Sequence, residues 1–262
     1  MTLYELEETK DLARLGNNSA LNDLVDYFYE KKDYEKAFLH AQKFLYTNDS
    51  RGLRKLGFFY ERGIGTEIDI EKAKECYQKA FDLEDYVAGY NLALIYQKEE
   101  KYDKCLYYLS IGKYYGHIPS IKLLADLYFK GDKIEKNLEV AIELYKILVD
   151  SGESKYLDYI GKAYYQLEQY DYAFSYFQKG SELLIPDSIY HLAICYSKGQ
   201  GTRIDISKAI ELYEKAIKYG HIGSIYNLAL HYLNGVGVPK DAQKGNDLMK
   251  MYEDKKTFIK NK

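Results

Sequence analysis

The most chemically suggestive stretch of the sequence is GQGTRIDISKA, Gly199 to Ala209, where two glycines one residue apart precede a segment that reads as a helix start. A loop of this kind cradles phosphate when a strand precedes it, a third glycine follows and an acidic ribose partner lies about 20 residues on. The preceding segment, IYHLAICYSK, instead spaces Leu192, Ala193 and Tyr196 along one side of a helix. The loop also recurs as GIGTEIDIEKA (Gly63 to Ala73) and GVGVPKDAQKG (Gly235 to Gly245). Used three times in one chain, it reads as a connector.

The other reactive residue types are equally unpromising for catalysis. His117 and His221 both follow Tyr-Gly at the same point of KYYGHIPS and KYGHIGS, which marks a turn, and His40, His191 and His231 stand on separate segments. No HExxH, paired carboxylate or Ser/His/Asp arrangement converges by spacing. Cys76, Cys105 and Cys195 fall on three different predicted helices without CxxC or Cys/His ligand spacing. The expectation is no catalytic site, no cofactor and no metal.

What must position the side chains is a repeat. Leu56-Gly57-x-x-Tyr60, Leu92-Ala93-x-x-Tyr96, Leu124-Ala125-x-x-Tyr128, Ile160-Gly161-x-x-Tyr164, Leu192-Ala193-x-x-Tyr196 and Leu228-Ala229-x-x-Tyr232 are one motif, with Leu24-Val25-x-x-Phe28 as a degenerate first copy; successive copies lie 32, 36, 32, 36, 32 and 36 residues apart. Each opens a second helical pattern at a small residue: Ala37, Ala73, Cys105, Ala141, Ala173, Ala209 and Gly245. From the motif aromatic to that residue the gap is 9 or 13, so two helices, A and B, stay constant and only their connector varies. Small residues let the two backbones approach while neighbouring aromatics fill the surrounding space. The motif tyrosines are expected in packing. Glycine supplies positive φ at the exit of helix A, and Asp33, Asp69, Asn137, Asp205 and Asp241 stand where helix B needs an N-cap, worth about 1 kcal/mol each.

The long copies, such as LGFFYERGIGTEIDIEKAKECYQKA and LAICYSKGQGTRIDISKAIELYEKAIKYGH, resemble Sel1-like repeats; the short ones, such as YYQLEQYDYAFSYFQKG, resemble tetratricopeptide repeats. The third connector, KGDKIEKN, departs from the pattern by lacking the second glycine. The resemblance implies an all-α, right-handed superhelical solenoid of about seven stacked helix-turn-helix units, since one such unit cannot bury its apolar face alone. Residues 1–18 then form a capping helix (Leu3, Leu6, Leu12 and Leu15 with Gly16 as the stop), 19–256 the repeats, and 257–262 a polar tail. Members of the family serve as adaptors, signalling regulators, effectors or immunity proteins that neutralise a toxin, and some have been associated with hydrolase activity. The paired cysteines of secreted members are absent, in keeping with a reducing compartment.

A net charge of −3 gives no general attraction to nucleic acid or anionic membrane. No segment approaches the apolar length of a membrane span, and the acidic N-terminal stretch does not read as a signal peptide. A cytoplasmic protein is expected, with no nucleic-acid or membrane partner; a homo-oligomer is compatible with the pattern but not indicated by it.

By the same resemblance, the A helices line a concave face, and the variable residues around the motif should meet a protein or peptide partner. Two positions before the motif leucine stand Arg54, Tyr90, Lys122, Asp158, Tyr190 and Tyr226; two after it, Phe58, Leu94, Asp126, Lys162 and Ile194; three further, Tyr29, Glu61, Gln97, Phe129 and Tyr165. Positions i, i+4 and i+7 share a helix face. Aromatic and aliphatic residues would anchor an extended peptide or helix there, and the charges would select it.

Overall fold

Small residues at fixed positions bring helices together in pairs throughout the chain. The computed structural model describes residues 3–260, with the side chains of 4–258. Its helices are α1 (Leu3–Arg14), α2 (Asn18–Glu30), α3 (Tyr34–Ala41, running into a 3-10 turn, Gln42–Tyr46), α4 (Ser50–Arg62), α5 (Ile70–Asp82), α6 (Tyr86–Lys98), α7 (Tyr102–Tyr114), α8 (Ile118–Lys130), α9 (Leu138–Asp150), α10 (Tyr156–Gln166), α11 (Tyr170–Glu182), α12 (Pro186–Lys198), α13 (Ile206–Lys218), α14 (Ile222–Asn234) and α15 (Ala242–Lys260). No strand occurs among the described residues.

The chain divides into two compact units whose boundary, between Leu124 and Ala125, falls inside α8. In the first unit α1 packs on α2, then α2 on α3, α4 on α5, α5 on α6 and α6 on α7; in the second, each helix from α9 to α15 packs on the next. This sequential pairing is the packing of an α-solenoid. The small residues opening helix B, Ala37, Ala73, Cys105, Ala141, Ala173 and Ala209, are fully buried. A Cβ on Gly57 would lie 2.8 Å from the Tyr77 ring, so the motif glycine lets α4 approach α5 over an aromatic face. The next joint uses smallness again, because a Cβ on Gly112 or Gly180 would run into Ser120 or Ser188 of the following helix.

One hydrogen bond explains how connectors of two lengths reach the same register. The backbone N–H of Asp33, Asp69, Lys101, Asn137, Gln169, Asp205 and Asp241 donates to the carbonyl of the motif aromatic, from Phe28 and Tyr60 through Tyr232, at 2.9–3.1 Å. The start of helix B is therefore pinned to helix A whatever the loop does between them. The expected caps form: Asp33, Asp69, Asn137 and Asp205 each accept from the backbone N–H three residues on, as Asp241 does from Lys244 at 2.9 Å. Asn17, Asp49, Asp85 and His221 cap A helices in the same way. Gly63, Gly199 and Gly235 end their helices in the left-handed region, and Gly131, alone in its connector, adopts φ 65°.

Three expectations are modified. Of the motif tyrosines Tyr60 is buried, whereas Tyr96, Tyr164, Tyr196 and Tyr232 are half-buried at the hairpin edge. There lysine ammoniums sit over the rings, as Lys72 does on Tyr60, Lys104 on Tyr96, Lys146 on Tyr164 and Lys244 on Tyr232, at 4.0–5.8 Å. This is cation–π packing of an amphipathic ring. The last helix runs to Lys260, past the expected end near Lys256, because neither glycine nor proline follows Gly245 to stop it; residues 261–262 lie outside the described residues. At the other end α1 stops at Arg14 and Gly16 turns with φ 87°, while the side chain of Leu3 lies outside the described residues.

The short turns carry strain that the glycine turns avoid. Lys32, Glu84, Glu100, Glu168 and Leu184 take φ of 58–64° just after a helix end, a conformation that costs a residue with a Cβ about 1–2 kcal/mol. Glu84 is exposed. Glu84→Gly is expected to stabilise the protein by about 0.5–1 kcal/mol, the relief exceeding the added entropy of the unfolded chain. A urea midpoint that stays put or falls would contradict this.

Candidate partner-binding surface

In the second unit α10 presents Asp158, Lys162 and Tyr165 on successive turns, and α12, packed beside it, presents Tyr190, His191, Ile194 and Lys198. Phe177 of α11 closes the floor. Lys162, Tyr165, Phe177, Tyr190, His191, Ile194 and Lys198 line a cavity of about 310 Å³ with Gln166. A second cavity of about 370 Å³ continues from it toward α14, lined among others by Tyr213, Asn227, Leu230 and His231, and shares Tyr190, Ile194 and Lys198 with the first. Four of the expected contact residues, Lys162, Tyr165, Tyr190 and Ile194, are thus gathered around one depression.

Asp158 is not on that surface, and here the sequence expectation is corrected. Its side chain is 2% exposed, with Oδ1 2.9 Å from His191 Nδ1 and Oδ2 2.7 Å from Lys162 Nζ. The lysine contact is ionic rather than an aligned hydrogen bond. Burial pushes the carboxyl up, but the hydrogen bond and charge of His191, together with the Lys162 ammonium, outweigh burial and hold it below the ordinary aspartate value. Burial likewise acts to lower the Lys162 ammonium, and Asp158 reverses the sign, leaving it raised.

The reason lies in the geometry of the whole row. The residue two before the motif reaches forward to the next A helix: Asn22 donates to Asp49 Oδ2 at 2.6 Å, Arg54 Nε pairs with Asp85 at 2.8 Å, Tyr90 meets the His117 ring, and Tyr190 stacks on His221 with centroids 4.1 Å apart. Tyr226 packs on Tyr252 of the last helix. Asp49, Asp85 and His221 are also N-caps, so the row serves as the joint between repeats. The sequence shows Asp49, Asp85 and His221 standing just before their A helices; it does not show that the preceding A helix reaches them.

The other two rows are more open, though partly spent on internal contacts. Phe58 is 37% and Tyr29 39% exposed, the latter stacked on Phe59. Glu61 accepts from Tyr77 Oη at 2.9 Å and lies 3.6 Å from Lys98; Asp126 accepts from Tyr145 Oη at 2.9 Å. Tyr165 donates to Gln200 at 2.6 Å, and Phe129 sits between Tyr145 and Tyr159. Leu94 and Gln97 are half-buried and Lys122 is exposed.

Of the reactive side chains, the three cysteines are buried and unpaired. Burial pushes Cys76 and Cys105 up to about 11 and Cys195 up to about 12, so they remain thiols at neutral pH. His117 and His221 are turn residues as expected: His221 Nδ1 accepts the Ser224 N–H at 3.1 Å, and His117 Nδ1 lies 2.8 Å from Ser120 Oγ. Among the described residues no group of three or more histidine, cysteine or acidic side chains is placed to hold a metal, and no helix is long and apolar enough to cross a membrane.

Helical hairpins joined in sequence, with connectors pinned to a repeating A-helix motif, define an α-solenoid repeat protein. The chain belongs to the Sel1 repeat family, whose model matches residues 20–44, 50–85, 119–153, 161–183, 186–221 and 223–251. The hairpin of α6 and α7 lies outside those matches yet has the same motif and packing. A sel1-like repeat-containing protein of Acanthamoeba polyphaga mimivirus is 37% identical over 97 residues, which is 37% of this chain and 18% of that protein. The chain thus spans about a fifth of that relative's length. Among solved structures, a protective antigen of uropathogenic Escherichia coli with an SLR fold aligns over 95% of this chain and 60% of its own, at TM-score 0.65 and 22% identity. A Sel1 repeat protein from Oxalobacter formigenes aligns over 87% and 94%, at 0.59 and 24%. At these identities the likeness concerns the fold. Sel1 and tetratricopeptide-like repeats are typically protein-interaction scaffolds.

Proposed function

We propose that the protein is a non-enzymatic interaction scaffold that binds a partner protein or peptide through the exposed faces of its A helices. The observation that carries this is the pair of adjoining cavities across α12, walled by Tyr190, Ile194 and Leu230 and edged by Lys162 and Lys198. Apolar anchors ringed by charge suit a bound segment. His117 and His221 serve in turns, His191 is hydrogen-bonded to Asp158 and the thiols are buried, so the surface offers anchors and charges rather than a nucleophile beside a base. The scaffold acts in the cytoplasm, and a role in neutralising a toxin by direct binding is a special case of the same surface.

The test compares capture of partners from the native host's lysate by the wild type, by Phe58→Asp/Tyr90→Asp in the first unit, and by Ile194→Asp in the second, each checked for native helicity. Retention is expected to weaken more than tenfold in at least one variant, as for loss of an interface anchor. Undiminished retention by both folded variants would defeat the A-helix reading.

A further inference from the structure

We infer that the cavity between α10 and α12 is a carboxylate pocket, taking an aspartate or glutamate side chain from a partner segment whose apolar neighbours lie in the adjoining cavity. This rests on the partner-binding reading above and specifies its chemistry. The titratable side chains lining the pocket are Lys162, Tyr165, Tyr190, His191 and Lys198, with no acid among them. Asp158 lies beneath, buried, its charge turned toward Lys162 and His191. Asp187, in the first turn of α12, is outside the lining and faces His221 Nε2 at 3.7 Å.

The two edges of the His191 ring are differently used. Nδ1 is 2.9 Å from the Asp158 carboxylate and so carries the proton it donates there. Nε2 has no hydrogen-bond partner among the described residues and is not among the buried unpartnered atoms, and its ring lines the cavity. Phe177, stacked at 4.9 Å and 20°, and Tyr190, edge-on at 5.1 Å, hold the ring in that orientation. An imidazolium donates from both ring nitrogens, so with Nδ1 given to Asp158 an arriving carboxylate accepts from Nε2. Lys198 is exposed and has no ion-pair partner among the described residues, and Lys162 supplies a second ammonium from α10. Charge complementarity thus selects an anion. The shared wall of Tyr190 and Ile194 selects one carried on an extended chain with apolar neighbours, which a peptide provides.

A phage-displayed library of random peptides selected on the whole protein tests this. Enrichment of peptides with aspartate or glutamate beside an apolar residue is expected. For a synthetic peptide from that pool, replacing its acid by the amide, or substituting Lys198→Glu in the protein, should each weaken binding about tenfold or more, the scale of a charge-assisted contact. His191→Asn, which keeps a donor near the Nδ1 position and deletes Nε2, should weaken it similarly. A peptide with lysine in place of its acid should bind the Lys198→Glu protein better than the wild type, a rescue that mere structural damage cannot mimic. Selected peptides lacking acids, or affinities indifferent to Lys198→Glu, would overturn the carboxylate pocket; if Ile194→Asp still abolished their binding, the scaffold reading would stand. Failure to enrich any peptide would count against both.

Discussion

Asp158→Ala is expected to destabilise the protein by about 2–4 kcal/mol in urea denaturation. Breaking a buried ion pair by removing one partner costs about 3–5 kcal/mol when the survivor is left in the interior. Here the survivor is Lys162, whose side chain is 31% exposed, so it can turn toward water and recover part of that loss. His191 loses its Nδ1 acceptor and becomes free to rotate on Phe177. Asp158→Asn should do little better, since its amide N–H₂ would face an ammonium or an imidazole N–H. Asp158→Leu combined with Lys162→Met should recover much of the stability, because a well-packed apolar pair often matches a buried ionic one. A loss below about 1 kcal/mol for Asp158→Ala, the scale of an exposed pair, would show that the site is far more hydrated than its geometry implies.

The same residue sets a pH dependence with a definite sign. Its folded-state pKa is depressed, so its contribution is fully present above the unfolded aspartate value of about 3.9 and is lost as pH falls through the lower folded value. Wild type and Asp158→Ala should therefore differ most in stability near neutrality and converge in acid. The pocket proposed above depends on the same residue, since Asp158 accepts from His191 Nδ1 and fixes the direction of the ring.

The repeat was legible because it rests on constraints that single residues report. The small residues at the A–B contact, the caps Asp33, Asp69, Asn137, Asp205 and Asp241, and the positive-φ glycines all stand where their local chemistry requires them. What the sequence hid depends on how far one helix reaches toward the next. Asp158 and Arg54 occupy the same motif position as the exposed Lys122, and only packing against the following helix assigns them to a joint. Tyr96, Tyr164, Tyr196 and Tyr232 obey a core periodicity yet stop at the edge, since a hydroxyl end is better placed beside water and a lysine than in the interior. The direction of His191 Nε2 carries no sequence signal, because it follows from Asp158, which stands 33 residues away.

Gly201→Ala should cost about 2–4 kcal/mol, well above the same change at Gly116. Both glycines hold left-handed backbone, with φ 70° and 74°, so each substitution meets the same backbone penalty of about 1–2 kcal/mol. Around Gly116 nothing lies within 4 Å of where the alanine methyl would stand, so that penalty is all it meets, reduced by the lower entropy of the unfolded chain. At Gly201 the methyl would overlap the Tyr170 carbonyl and lie 2.8 Å from Phe174 Cβ, both on the helix B of the preceding repeat. α11 cannot retreat without breaking the fully buried contact of Ala173 and the packing of Phe177 beneath His191, and overpacking of this kind adds about 1–3 kcal/mol. Gly65 makes the same approach to Tyr34 in the first unit, so the second glycine of the long connector is a repeat-to-repeat contact rather than a turn former alone. Equal losses at Gly201 and Gly116, measured by urea denaturation followed at a helix-sensitive wavelength, would reduce both glycines to their φ values and remove the connector from the forces that stack one hairpin on the next.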